Sequence, residues 1–264
     1  MIDTHSHLLP GLDDGAENIE ESLALALAAE GEGITDIVCT PHVDSFGDRA
    51  ARLGPGVLEA TQSALREAGL ALRLHLGYEL TFPFVQTLAP TELSPLCLGV
   101  GNEAILLEAP YVGWPAFAED FFFKLRLQGL TPVLAHPERN PTVQRRPDLL
   151  SSLVRLGVVP QGTVPSLFGV FGAAARKTLL RRLVAGDIWL IASDAHYRRR
   201  TECSMSGART KLARALPGID VQLLFEENPT RLLRGESLLS PEPIRGKGGA
   251  WSHIRSVLGE RKSL

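Results

Sequence analysis

The chain carries seven histidines in 264 residues, and the first two arrive in Thr4-His5-Ser6-His7. Imidazoles at i and i+2 of an extended backbone point to one face, so this pair can hold one metal ion. Further ligand-type residues follow in Asp13-Asp14-Gly15, Thr40-Pro41-His42, Gly77-Tyr78-Glu79, Leu106-Leu107-Glu108-Ala109-Pro110, Ala135-His136-Pro137-Glu138-Arg139 and Ser193-Asp194-Ala195-His196. Taken singly, each reads as a capping aspartate or a hydrogen-bonded core histidine. Together, His5, His7, His42, Glu79, Glu108, His136, Asp194 and His196 all stand at or just past the end of an aliphatic or β-branched run, which indicates one cluster. Asp14 joins them from its turn. Four carboxylates in one place, those of Asp14, Glu79, Glu108 and Asp194, would repel one another without bound cations. Such a donor set, with bridging carboxylates and water, suits two or three ions, three being the expectation. Imidazole and carboxylate without thiolate favour Mn, Fe or Zn over Ca or Mg.

These residues need elements that bring them to one edge. Short aliphatic runs ending near His5 and at 37–40, 72–76, 104–107, 132–135, 158–159 and 189–192 read as seven strands. Between them, helical patterns cover 17–30, 56–68, 115–128, 148–156, 173–185, 206–216 and 221–233, several closing at a glycine. Alternation of this kind predicts an α/β fold on a parallel sheet, and catalytic groups gather where the strands of such folds end. One domain is expected over 1–240, with a basic tail over 241–264.

Composition narrows the partners. With 27 Lys and Arg against 30 Asp and Glu, a net charge of −3 gives no basic field for nucleic acid. No run is long and apolar enough for a membrane span, and the N-terminus has no basic and apolar leader, so a cytoplasmic protein is expected. Cys39, Cys97 and Cys203 are odd in number and lack a CxxC, which indicates neither disulfides nor a thiolate metal site. His75, within a strand, reads as a packing residue. Trp114 reads either as a pocket wall for an aromatic ester or as a hydrophobic staple. The oligomeric state is not legible in the composition.

In their order, THSHLLPGLDDG, CTPH, GYE, LLEAP, AHPER and SDAH resemble the polymerase and histidinol phosphatase superfamily. The closest likeness is to its bacterial manganese-dependent protein tyrosine phosphatases of capsular and exopolysaccharide operons. The resemblance implies a distorted (β/α)7 barrel of the TIM-like kind with a trinuclear Mn²⁺ centre. It implies metal ligands at His5, His7, Asp14, His42, Glu79, Glu108, His136, Asp194 and His196, and a phosphate-binding arginine at Arg139. His42 and Asp194 would also face the reaction, and Arg200, among Arg198-Arg199-Arg200, would supply a second phosphate contact. The implied chemistry is hydrolysis of a phosphomonoester by attack of a metal-bound hydroxide. The implied substrate is phosphotyrosine in the cytoplasmic tail of a membrane-associated tyrosine kinase that controls polysaccharide export. The family loop Gln-x-Asn-x-Gly-Ser reads Gln161-Gly162-Thr163-Val164-Pro165-Ser166 here, with Thr163 in place of the asparagine.

Other readings compete. A small-molecule phosphatase of the histidinol-phosphatase type would use the same centre. A silent metal-binding regulator is disfavoured by the complete ligand set. Cys203 to Thr210 matches C-x5-R-[ST], the phosphate loop of cysteine-dependent phosphatases, but Tyr197-Arg198-Arg199-Arg200-Thr201-Glu202 before it does not read as the buried strand that such a loop needs.

Overall fold

Among the described residues nine short parallel strands occur where seven are expected, because the chain breaks just past the runs at 37–40 and 72–76 and pairs again in a short strand after each break. The structure is a computed structural model and describes residues 1–44, 49–99, 103–199 and 204–244. The first break separates β1 (Ile2–Ser6) and β2 (Asp36–Cys39) from β3 (His42–Val43), since Pro41 has no N–H to give to a ladder. The second separates β4 (Arg73–Leu76) from β5 (Glu79–Thr81) at Gly77, where a Cβ would lie 2.3 Å from Leu98. Then come β6 (Ala104–Glu108), β7 (Thr131–Ala135), β8 (Val159–Thr163) and β9 (Leu190–Ala192).

The strands form a three-stranded sheet in the order β1-β2-β4 and a six-stranded sheet in the order β3-β5-β6-β7-β8-β9. Backbone bonds bridge the breaks, from Gly77 N–H to the Cys39 carbonyl (2.9 Å) and from Glu79 N–H to the Pro41 carbonyl (3.2 Å). The fold is thus mixed α/β with parallel sheets. The expected barrel is not closed by a hydrogen-bonded ladder. β9 has only three residues, and Asp194 turns out of the extended region with φ 51°. β1 therefore meets this end of the sheet through a lone Ser6–Ala195 bridge, flanked by bonds from Asp194 N–H to the His5 carbonyl and from His7 N–H to the Ala195 carbonyl.

Side chains alternate along each strand, and this decides what each face carries. On one face Val38, Leu106, Val133, Val159 and Leu190 pack with Leu232 and Leu233 into a small apolar cluster. The larger core lies on the other face, where Ile37, Ile105, Leu107, Leu134 and Ile191 meet the helices. Continuous burial on both faces explains why β6 reads Ala-Ile-Leu-Leu without alternation.

The helices Ile19–Gly31, Arg49–Glu67, Ala118–Leu127, Pro147–Arg155, Gly172–Val184 and Met205–Ala215 follow the expected patterns, with shifted ends. Asn18 caps the first by accepting from Glu21 N–H. The second begins well before the predicted start and tolerates Pro55 in its interior. The pattern over 221–233 is two elements, a π turn at Leu223–Glu227 and a helix at Asn228–Leu233, because Pro229 cannot donate to the turn before it. Among the described residues, no helix is long and apolar enough to cross a membrane. Of the expected tail, Ile244 still donates its N–H to the Val184 carbonyl, and 245–264 lie outside the described residues.

Candidate metal centre

The structure brings all nine expected ligands together at the ends of the strands. Three overlapping groups each place their donor atoms within 4.8 Å of one another: His7, Asp14, His42 and His196; His5, His7, Glu79 and Asp194; and His42, Glu79 and Glu108. Glu79 lies at the middle. Its Oε2 is 3.1 Å from His5 Nε2, 3.3 Å from His7 Nε2 and 3.2 Å from His42 Nδ1, and its Oε1 is 2.9 Å from His136 Nε2. His136 also approaches Glu108 Oε1, at 3.6 Å. Asp194 Oδ1 lies 3.4 Å from His5 and 3.3 Å from His7, and His196 Nε2 lies 3.1 Å from Asp14 Oδ1. His42 (31% exposed) and Asp14 (49%) form the open side, and the other seven expected ligands are buried.

Local backbone explains the convergence. The β1–β2 register shifts between Asp3 and Ser6, a kind of irregularity that re-aims side chains next to active sites. Glu108 extends the apolar face of β6 by one step of alternation beyond Leu106. His136 (φ 33°) and Asp194 (φ 51°) take left-handed backbone, the only non-glycine residues described that do so, and both are expected ligands. Gly15 lets its turn lie against His7, whose carbonyl oxygen would be 2.1 Å from an added Cβ.

A ring of acceptors fixes the imidazole tautomers. His5 Nδ1 faces Gln161 Oε1 at 2.8 Å, and Gln161 is held so by donating its amide to Thr4 Oγ1. His7 Nδ1 donates to Asp13 Oδ2 at 2.6 Å, and His196 Nδ1 to the Asp194 carbonyl at 3.0 Å. Each bond leaves the Nε2 lone pair aimed inward. Two such lone pairs, of His5 and His7, stand 3.2 Å apart in a buried space already lined by carboxylates. Glu108 Oε1 is buried there without a hydrogen-bond partner among the described residues. Converging lone pairs and anions, with one orphaned oxygen, fit bound cations.

The protonation equilibria agree. Burial disfavours the His5 cation, but Glu79 and Asp194 outweigh it and raise the pKa. His7 is raised well above its ordinary value, since bonds to Asp13, Asp194 and Glu79 overcome its burial. Burial opposes charge on Glu79 and Asp194 too, and the surrounding imidazoles still hold both well below the carboxylate range. The same carboxylates that favour a proton on His5 and His7 would favour bound cations in its place.

Arg139 stands beside the centre. Its Nη2 donates to Asp194 Oδ2 at 2.5 Å and to Thr163 Oγ1 at 2.9 Å, and its guanidinium lies 3.7 Å over the Phe171 ring. Thr163, in place of the family's asparagine, donates to Glu138 Oε1 and lies 3.2 Å from Ser166 Oγ. Asp13 was expected only as part of a turn, yet it holds His7, His42 N–H and Gly15 N–H. The only sequence signal for it is the doubled aspartate.

Arg200 and Cys203 lie outside the described residues, and Arg198 pairs with Glu17. Arg209, the arginine of the C-x5-R pattern, instead pairs with Glu226 at 2.6 Å and bonds Gln222. His75 meets Asp36 at 2.9 Å, apart from the centre, and Trp114 packs edge-on against Phe82.

Comparison with known proteins gives the same direction. The family model described as capsular polysaccharide synthesis, CpsB/CapC, matches residues 1–234. Tyrosine-protein phosphatase YwqE of Bacillus subtilis (strain 168) is 34% identical over 260 residues, which covers 93% of this chain and 97% of that protein. Tyrosine-protein phosphatase CpsB of Streptococcus pneumoniae is 25% identical over 242 residues, covering 88% and 98%. A solved structure from the crystallographic study of YwqE and CpsB, called there unique metal-dependent tyrosine phosphatases, superposes with a TM-score of 0.81 at 30% identity, covering 93% of this chain and all of that one. On this match, which runs from the first strand to the helix that ends at Leu233, the chain belongs to the CpsB/CapC family of capsular polysaccharide synthesis.

Proposed function

We propose that this chain is a metal-dependent protein tyrosine phosphatase, acting on phosphotyrosine in the cytoplasmic tail of a membrane tyrosine kinase of polysaccharide export. The observation that carries the reading is the set of inward imidazole lone pairs and carboxylates beside a buried arginine. The relatives' names and family supply the phosphotyrosine. In this reading the two sheets are a distorted, incompletely laddered seven-position barrel.

His5, His7, Asp14, His42, Glu79, Glu108, His136, Asp194 and His196 would hold two or three ions of Mn, with Fe or Zn as alternatives. Such ions supply charge neutralisation and activation of water. The protein's own part is positioning. Arg139 offers its guanidinium fork to the non-bridging oxygens of the phosphoryl group, and the Phe171 ring and the Thr163 hydroxyl set its plane. Asp194 links the arginine to the centre, so that phosphate bound by one is aligned with the other. His42 on the open side faces arriving substrate. A tyrosine phenolate has a pKa of about 10, so it needs less proton donation on leaving than an alkoxide does. Arg200 would supply the second phosphate contact.

The test is phosphate release from a phosphotyrosine peptide and from histidinol phosphate, by metal-stripped protein with and without Mn²⁺. Peptide turnover restored by Mn²⁺, lost in His136→Ala and kept in Cys203→Ser is the expected result. Turnover that survives chelation but vanishes in Cys203→Ser overturns the metal mechanism. Release from histidinol phosphate alone moves the chain to the small-molecule branch.

A further inference from the structure

β6, β7 and β8 are neighbours in the sheet, so the loops that leave them stand side by side. They present Tyr111, Arg139 and Phe171 in that order. Phe171 is already used, beneath the guanidinium of Arg139. Tyr111 is not: it lines a small cleft with His136, Arg139 and Asn140 and is 62% exposed, and Val112 beside it is 90% exposed. Apolar groups presented together next to a polar site mark a binding surface.

Tyr111 is exposed but held. Asn140 donates its side-chain amide to the Pro110 carbonyl at 2.8 Å and to the Gly113 carbonyl at 3.0 Å, clamping the loop on both sides of Tyr111 and Val112. Gly113 takes the left-handed φ of 80° that closes this turn. Tyr111 is thus presented to solvent by a clamped loop and shares its cleft with the phosphate-binding Arg139.

Resting on the phosphatase reading, we infer that Tyr111 is the wall of an aryl subsite, against which the ring of a phosphotyrosine lies while its phosphoryl group is held at Arg139. An alkyl phosphoester such as phosphoserine has no ring to place there. The loop clamp keeps the ordering cost of the wall out of binding. Tyr111 then sets substrate class.

The experiment compares kcat/KM on one peptide carrying phosphotyrosine or phosphoserine, with Mn²⁺-loaded wild type, Tyr111→Leu and Tyr111→Phe. Tyr111→Leu is expected to lower the phosphotyrosine-to-phosphoserine ratio by about fivefold, the size of one ring-on-ring contact, chiefly through KM. Tyr111→Phe keeps the ring and is expected to keep the ratio within about twofold. Calorimetric binding of phenylphosphonate against ethylphosphonate reads the same preference without turnover. An equal loss on both peptides in Tyr111→Leu, or a ratio that falls equally in Tyr111→Phe, overturns the subsite. If wild type releases no phosphate from either peptide, the phosphatase reading fails. The phosphonates then decide alone: a phenyl preference lost in Tyr111→Leu upholds the subsite, and no preference in wild type overturns it.

Discussion

Two regions on the same face of the strands differ in nearly every property. One contains Leu106, Val133, Val159 and Leu190, packed dry with Leu232 and Leu233. The other, a step further along the same strands, contains Glu108 and Gln161 with His5, His7 and Glu79 around them. The apolar base is complete as it stands, since each side chain has neighbours of its own kind. The polar end holds converging imidazoles and carboxylates that pair with one another and fit bound cations. The rigid half is what allows the charged half to be held in place.

Breaking the polar end is expected to have the largest effect. Glu79→Gln removes the carboxylate that four imidazoles share. Activity should fall by about a thousandfold, several kcal/mol of transition-state stabilisation. Phosphate release at saturating Mn²⁺ checks this, with bound metal counted by elemental analysis. If the variant keeps both activity and metal, Glu79 is not central.

Breaking the base acts on a different quantity. Leu106 is fully buried, and Leu106→Ala should cost about 3 kcal/mol of stability in urea unfolding while activity below the transition persists. Equal damage to turnover at low temperature would show that base and site are not separable.

A finer cut goes between the regions, at the acceptors that fix the tautomers. Gln161→Leu and Asp13→Asn each leave the ligands in place and should weaken Mn²⁺ affinity by about 10- to 100-fold. Titration of metal-stripped protein measures it, and unchanged affinity would deny these residues an orienting role.

The smallest effect lies at the opposite end of the strands, where Arg73 and His75 bond Asp36. Burial opposes the charge on Asp36, but those bonds outweigh it and hold its pKa below the ordinary 3.8. A depressed carboxylate contributes stability above its unfolded pKa and loses it as pH falls through the folded value. The unfolding midpoints of wild type and Asp36→Asn should therefore differ near neutrality and converge well below pH 3.8. A gap that stays constant with pH would remove the ion pair as its cause.

The polar end was easy to read in the sequence, and the base was not. His5, His136 and Asp194 are conspicuous because ligand types at the ends of aliphatic runs have few other uses. Leu232 and Leu233 look like any helix face, and their place under the strands is a tertiary fact. The supporting residues were hidden for a related reason: Gln161 reaches His5 across 156 positions, and no local pattern announces such a bond. The two extra strands lie past Pro41 and Gly77, beyond the runs at 37–40 and 72–76, and with two and three residues they are too short to show a pattern of their own. Closure of the barrel depended on how far β9 extends, and the left-handed turn at Asp194 stops it early.

The bridge between Ser6 and Ala195 has a consequence for biosynthesis. Asp14 and His196 touch across 182 positions of sequence, so no nascent chain owns the site until most of it has left the ribosome. Contacts of such separation form late and slowly. A half-made chain would offer a metal only scattered imidazoles, and tight binding is expected only once β9 has docked against β1.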